Sequence, residues 1–129
     1  MLNWIDRLSC VLLAVFSAGH GIFGTLISHP WSETSTLWSF SGSIAAWAIA
    51  ALNWLRSGRR NDKALAFWAL LGAVAWIALM VWLMQIAHMW RDPRPWLFIG
   101  VCIVLVIFGT RDLLRRRRGD ASGAFAPGR

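Results

Sequence analysis

The chain has 129 residues, of which 57% are hydrophobic, and a formal net charge of +7. A soluble domain of this length could not bury so much apolar surface, because its surface-to-volume ratio is too high. A lipid bilayer acts as an apolar solvent, and we expect it to be one partner of this chain. The basic residues flank apolar runs, so we expect them to face the anionic cytoplasmic leaflet and not nucleic acid.

The first apolar run covers residues 8–28 and is uncharged when His20 is neutral. It is long enough to cross the hydrocarbon core, which takes about 20 helical residues. Arg7 before the run is similar to the start of a secretory signal, but a signal core holds only about 7–15 apolar residues. Ala18 also has Phe16 at the −3 position, where a cleavage site needs a small residue. We therefore expect a retained transmembrane helix.

Three further apolar runs predict three more transmembrane helices, and they cover residues 37–55, 64–87 and 96–114. The last run is interrupted by Arg111 and reaches spanning length if that side chain extends to the lipid headgroups. Residues 115–129 combine basic, glycine and small residues, which is typical of a disordered tail.

Short polar connections join the four runs, so consecutive helices are expected to be antiparallel neighbours. Residues 1–114 thus predict one all-α transmembrane domain, a four-helix up-down-up-down bundle. One Lys or Arg precedes the first run, residues 56–63 contain four, and the chain from Arg111 onward contains six. The connection after the first run contains none, and the connection after the third run contains two. The positive-inside rule therefore predicts a multi-pass protein of the bacterial inner membrane with cytoplasmic N- and C-termini.

Small residues line one face of the first predicted helix. Ser17, Gly21, Gly24 and Ser28 fall within about 40° of one another at about 100° per residue. A similar face on the second helix consists of Ser39, Ser43, Ala46, Ala50 and Asn53. Small faces let membrane helices approach closely, so both faces predict helix packing.

Histidine and methionine residues suggest a metal or haem site toward the outer side of the membrane. Met80, Met84 and His88 recur every four residues on the third helix, and His20 lies at the edge of the small-residue face of the first helix. Thioether and imidazole groups suit Cu(I), and haem iron accepts His or Met as an axial ligand. If the first and third helices touch, these residues could line one pocket. The alternatives are methionines that fill gaps in the core, and a neutral His20 bonded to a carbonyl or hydroxyl group of a neighbouring helix.

The remaining features point away from catalysis. No Asp or Glu interrupts the apolar core of any run, which argues against the proton-coupled cycle of small multidrug exporters. No serine–histidine–acid set, HExxH motif or glycine-rich phosphate loop is present. Cys10 and Cys102 lie in separate runs, and we expect them to be small buried hydrophobes.

A basic run follows the fourth predicted helix and consists of Arg115, Arg116, Arg117 and Arg118. Such a run beside an apolar helix predicts an anchor for lipid headgroups, with a partner-docking peptide as the alternative.

Residues 7–24 read RLSCVLLAVFSAGHGIFG. This segment resembles the opening helix of the DoxX-like family of small four-helix membrane proteins, in which an arginine and an apolar run lead to a small-residue, histidine-containing end. The resemblance implies four helices and a similar chain length. Some members of that family are subunits of membrane-bound sulfur or quinone oxidoreductases.

These observations favour a non-enzymatic subunit or small binding protein that packs in the membrane against another membrane protein or against itself. The first alternative is a redox or metal-handling protein that binds copper or haem through His20, Met80, Met84 and His88. The second alternative is a route for small-solute permeation.

Overall fold

The computed structural model describes residues 3–27, 30 and 32–114. In these residues the helices are α1 (Asn3–Ala18), a π-helix (Gly19–Leu26) that continues it, α2 (Thr34–Gly58), α3 (Lys63–Ile86) and α4 (Pro93–Leu114). Counted with the π-helix as part of the first, four helices in this part of the chain are long and apolar enough to cross a membrane. The predicted all-α fold with four such helices is therefore confirmed. The predicted tail, residues 115–129, lies outside the described residues.

The helices extend beyond the apolar runs from which they are predicted. The first helix begins at Asn3, and α2 continues to Gly58. The interpretation of Arg56 as part of a polar turn is therefore wrong, because this residue lies in the last turns of α2 and is completely buried. Its charge does not end the helix, since the guanidinium is paired inside the bundle instead of being solvated.

Local capping sets both ends of α3. The Asp62 side chain accepts a hydrogen bond from the backbone N–H of Leu65 at 2.9 Å, which satisfies one of the free donors of the first turn. At the other end His88 adopts a left-handed backbone conformation with φ 51°. The N–H of Met89 then donates to the carbonyl of Met84 at 3.1 Å, as in a Schellman motif.

The four helices pack in the order of the chain. The α1 helix contacts α2 and α4, α3 contacts the same two helices, and α1 does not contact α3 in the described residues. The indole Nε1 of Trp47 donates to the carbonyl of Ala14 at 3.0 Å and fixes α2 against α1. Much of the core is built from small side chains, which allow close helix approach. The core cluster consists of Cys10, Leu13, Ala46, Ile49, Ala50, Ala73, Trp76, Cys102 and Leu105.

Most of the large apolar side chains lie on the outside of the bundle, with Trp76 and Phe108 among the buried exceptions. Trp and Phe are prominent among the exposed side chains, in contrast to the alanines and cysteines of the interior. Exposed examples from all four spans are Phe23, Trp38, Trp68, Trp82, Ile86, Trp96 and Ile107. The helices therefore pack through small residues and present large apolar groups outward.

Candidate functional site: a buried charge cluster beside a polar pocket

A cluster of charged side chains is buried where the start of α1 meets the ends of α2 and α4. The exposed fraction is 0% for Arg56, 1% for Asp6 and 2% for Asp112. Arg56 donates from Nη2 to Oδ1 of Asp6 and from Nη1 to Oδ2 of Asp112, each at 2.5 Å. The guanidinium of Arg56 therefore bonds α2 to both α1 and α4.

Asn53 extends the cluster to the remaining helix. Its Oδ1 accepts a hydrogen bond from Nε of Arg56 at 3.3 Å, while its Nδ2 donates to the carbonyl of Ile49 at 3.0 Å and to that of Ala69 at 3.3 Å. Ala69 belongs to α3. Through Arg56 and Asn53, the cluster links all four helices at one level of the bundle.

The cluster contains two carboxylates for one guanidinium. Asp6 Oδ2 and Asp112 Oδ1 accept no hydrogen bond from the described residues. The nearest further cation is Arg111, whose Nε lies 3.9 Å from Asp112 Oδ1 and whose side chain is 32% exposed. Each carboxylate thus keeps one oxygen that can accept a proton or a hydrogen bond.

The expectation that no carboxylate lies within the apolar core is wrong. It failed because both carboxylates of the cluster lie at or beyond the ends of the predicted runs. Asp6 precedes residues 8–28 and Asp112 follows an arginine, so the sequence assigns both to solvated ends of the helices. A signal is nevertheless present, since Asp6, Leu13 and Ser17 lie on one helical face at spacings of seven and four residues, and all are buried. Missing carboxylates therefore no longer speak against a proton-coupled cycle, and small-solute permeation stays a prediction.

A polar pocket of about 660 Å³ lies next to the cluster. It is formed by the start of α1, the end of α2 and the turn that follows, with Asn3, Trp4, Arg7, Ser57, Gly58, Arg60 and Asn61 as its lining. The Arg7 guanidinium lies 5.4 Å from the centre of the Trp54 ring, a distance typical of a cation–π contact. Nε of Arg60 donates to the carbonyl of Ser57 at 3.4 Å. Both basic side chains are therefore held against α2.

A second polar network lies in the π-helix. The Nε2 of His20 and the Oγ of Ser39 are hydrogen-bonded at 3.1 Å, and Ser39 is bonded in turn to the hydroxyl of Thr25 at 2.9 Å. The Thr25 hydroxyl also bonds to the backbone carbonyl of His20 at 3.0 Å. The predicted alternative in which His20 bonds to a hydroxyl group on a neighbouring helix matches this arrangement.

The structure places the predicted metal-binding residues on, or at the end of, two helical segments whose backbones do not contact each other in the described residues. Met84 is completely buried, Met80 is half-buried, and His88 is exposed at the end of α3. The π-helix that carries His20 contacts α1 and α2 but not α3 in the described residues. In the same part of the chain, no three His, Cys, Asp or Glu side chains are grouped as metal ligands. Copper or haem binding stays a prediction.

The small-residue face of the first helix divides into inner and outer positions. Ser17 is buried and donates to the carbonyl of Leu13 at 2.7 Å. A Cβ atom added at Gly21 would lie 2.7 Å from Cβ and Oγ of Ser43, whereas one at Gly24 would have only ordinary contacts. Both cysteines are buried and free. The other predicted packing and headgroup residues lie outside the described residues, namely Ser28, Arg115, Arg116, Arg117 and Arg118.

The described residues thus form an all-α fold with a buried charge cluster, and its four helices are long and apolar enough to span a membrane. No known protein family, curated protein or solved structure matches this chain.

Proposed function

We propose that the chain is an integral membrane protein of the bacterial inner membrane, an up-down-up-down bundle with both termini in the cytoplasm. Support comes from the large apolar side chains on its outer surface, which a bilayer would cover. The contacts of Arg56 also bring the start of α1 to the ends of α2 and α4, as alternating helix directions require. The basic residues around residues 56–63 favour the cytoplasmic side for this end.

Within the membrane, the chain acts as a non-enzymatic subunit or binding partner of an assembly, formed with another membrane protein or with copies of itself. The observation that carries this proposal is the cluster of Asp6, Asn53, Arg56 and Asp112. Its charged and amide groups bond helices to one another and give the bundle a fixed shape. A small bundle of fixed shape with an apolar outer surface is suited to binding other proteins in the plane of the membrane.

Reporter fusions and extraction in native lipid test the proposal together. A reporter active only in the periplasm should be silent after Leu114 or within residues 59–62, and active within residues 32–36. Particles extracted with their lipid by an amphipathic polymer should have a protein mass above that of one chain by native mass spectrometry. The reverse reporter pattern would contradict the orientation, and particles that hold one chain alone would contradict the assembly.

A further inference from the structure

The geometry points to a phosphate-binding site in the polar pocket formed by Asn3, Trp4, Arg7, Ser57, Gly58, Arg60 and Asn61, and we propose that it holds the phosphate of an anionic lipid headgroup. The class of ligand, a phosphate ester anion, follows from the two guanidinium and two carboxamide side chains of the lining. The assignment of this phosphate to a lipid rests on the proposed function, because the pocket lies at the level of the headgroups only if the chain spans the membrane.

The charge balance of the pocket favours an anion. Neither Arg7 nor Arg60 has a carboxylate within 4.0 Å in the described part of the chain, whereas Arg56 has two, and Arg94 and Arg111 have one each. The nearby carboxylate of Asp6 is bonded to Arg56 through Oδ1, and its second oxygen forms no hydrogen bond with either pocket arginine.

The acidic residue that follows the lining is not paired with the pocket arginines. Among the described residues, Asp62 forms no ion pair within 4.0 Å with Arg7 or Arg60, and its Oδ1 caps α3 by accepting the N–H of Leu65 at 2.9 Å. The two pocket arginines therefore keep their charge available to a ligand.

The pocket arginines are positioned in advance. Arg7 lies over the Trp54 ring, and Arg60 uses its Nε on a backbone carbonyl, which leaves its Nη groups to donate elsewhere. Guanidinium groups donate in a planar fork that matches two phosphate oxygens. The volume of about 660 Å³ falls within the range of about 300–1,000 Å³ that ligand pockets have in general.

The surroundings of the pocket favour a lipid over free phosphate. Trp4 in the lining is 60% exposed, and an indole prefers the interface between headgroups and acyl chains. The large apolar side chains of Leu8 and Leu55 are exposed on the same two helices, close in sequence to the lining. A phosphate in the pocket would thus have apolar helix surface nearby for the acyl chains of the same lipid.

Lipid retention by the full chain tests this site. The protein is reconstituted in nanodiscs of phosphatidylcholine with a minor share of phosphatidylglycerol, and the retained anionic lipid is counted by native mass spectrometry. We expect the R7Q/R60Q variant to retain phosphatidylglycerol at least tenfold more weakly than the wild type. The R91Q/R94Q variant is the matched control, because it removes the same charge from the turn before α4 and the first turn of α4, and should behave as the wild type. The basic residues from position 115 onward are present in every variant.

Two further measurements separate the possible results. In the first, millimolar inorganic phosphate is added to the detergent-solubilised protein. If phosphate stabilises the wild type but not R7Q/R60Q, and phosphatidylglycerol is not selectively retained, the phosphate site is supported but the lipid is overturned as its source. R7K/R60K keeps the charge without the fork and should show intermediate retention, which covers the case in which R7Q/R60Q fails to fold. Equal loss in R91Q/R94Q, or no loss in R7Q/R60Q for either ligand, would overturn the site.

Membrane insertion is measured separately by flotation of the chain with membrane vesicles. A chain that fails to float but still binds phosphate through Arg7 and Arg60 would refute the proposed function and leave the phosphate site intact. If the chain floats but its lipid retention does not depend on these two arginines, the lipid site is refuted and membrane insertion is supported.

Discussion

Two regions of the bundle are held by different polar chemistry. The cluster around Arg56 is charged, completely buried, built on regular α-helix and linked to four helices. The network around His20 uses an imidazole and two hydroxyl groups, lies partly at the surface, and joins a π-helix to α2 alone. Both regions connect helices, but the first does so with ions and the second with groups that can all be neutral.

The two regions should differ in how much stability they lose when one bonding partner is removed. Buried ions are strongly destabilising when one partner is removed, because the remaining charge stays in a medium of low polarity. A lost hydrogen bond between neutral groups has a smaller effect, especially where the groups can still reach water. We therefore expect mutations of equal size to have unequal effects in the two regions.

The largest effect is expected for Arg56→Met. This change leaves Asp6 and Asp112 buried without their cation, so it should lower the free energy of unfolding by about 3–5 kcal/mol. Thermal unfolding in detergent and the amount of protein in the membrane fraction measure this loss. The triple variant D6N/R56M/D112N should recover much of it, since it removes all three charges together. A triple variant as unstable as R56M would show that the pairing of charges is not the cause.

An intermediate effect is expected for Gly21→Ala, at the end of the bundle that carries His20. The added Cβ would lie 2.7 Å from Ser43, so the π-helix and α2 would have to separate. Such overpacking costs about 1–3 kcal/mol. Gly24→Ala is the matched control in the same π-helix, where the nearest heavy atom to a Cβ is 3.6 Å away. Equal thermal stability of the two variants would contradict the predicted contact.

The smallest effect is expected for Ser39→Ala, which removes the hydroxyl that bonds to both His20 and Thr25. We expect a loss of about 1 kcal/mol in the free energy of unfolding, as for a single hydrogen bond between neutral groups. Ser41→Ala is the control, because the Ser41 hydroxyl bonds only to Leu37 of its own helix and is exposed. A loss for Ser39→Ala as large as that for Arg56→Met would abolish the contrast between the two regions.

The sequence predicts the helices better than it predicts their polar contacts. The four apolar runs are visible because a stretch of about 20 consecutive apolar residues is characteristic of a membrane-spanning helix. The cluster escapes prediction because Asp6, Arg56 and Asp112 stand at the ends of the runs, where charge is ordinarily solvated. The predicted up-down order puts these helix ends on the same side, but their pairing also depends on which faces of the helices meet, and local sequence does not contain that information. His20 shows the reverse case, since one of its two sequence-based interpretations, a hydrogen bond to a neighbouring helix, matches the bond to Ser39.

The cluster also imposes an order on biogenesis. Ribosomes release the N-terminal residues first, so α1 and α2 exist while α4 is still being synthesised. Arg56 can bind Asp6 as soon as this first hairpin forms, but its second partner, Asp112, becomes available only when the fourth helix is complete. The fourth helix thus completes the ion network, and a chain whose synthesis has not reached it holds Arg56 with only one of its two carboxylate partners.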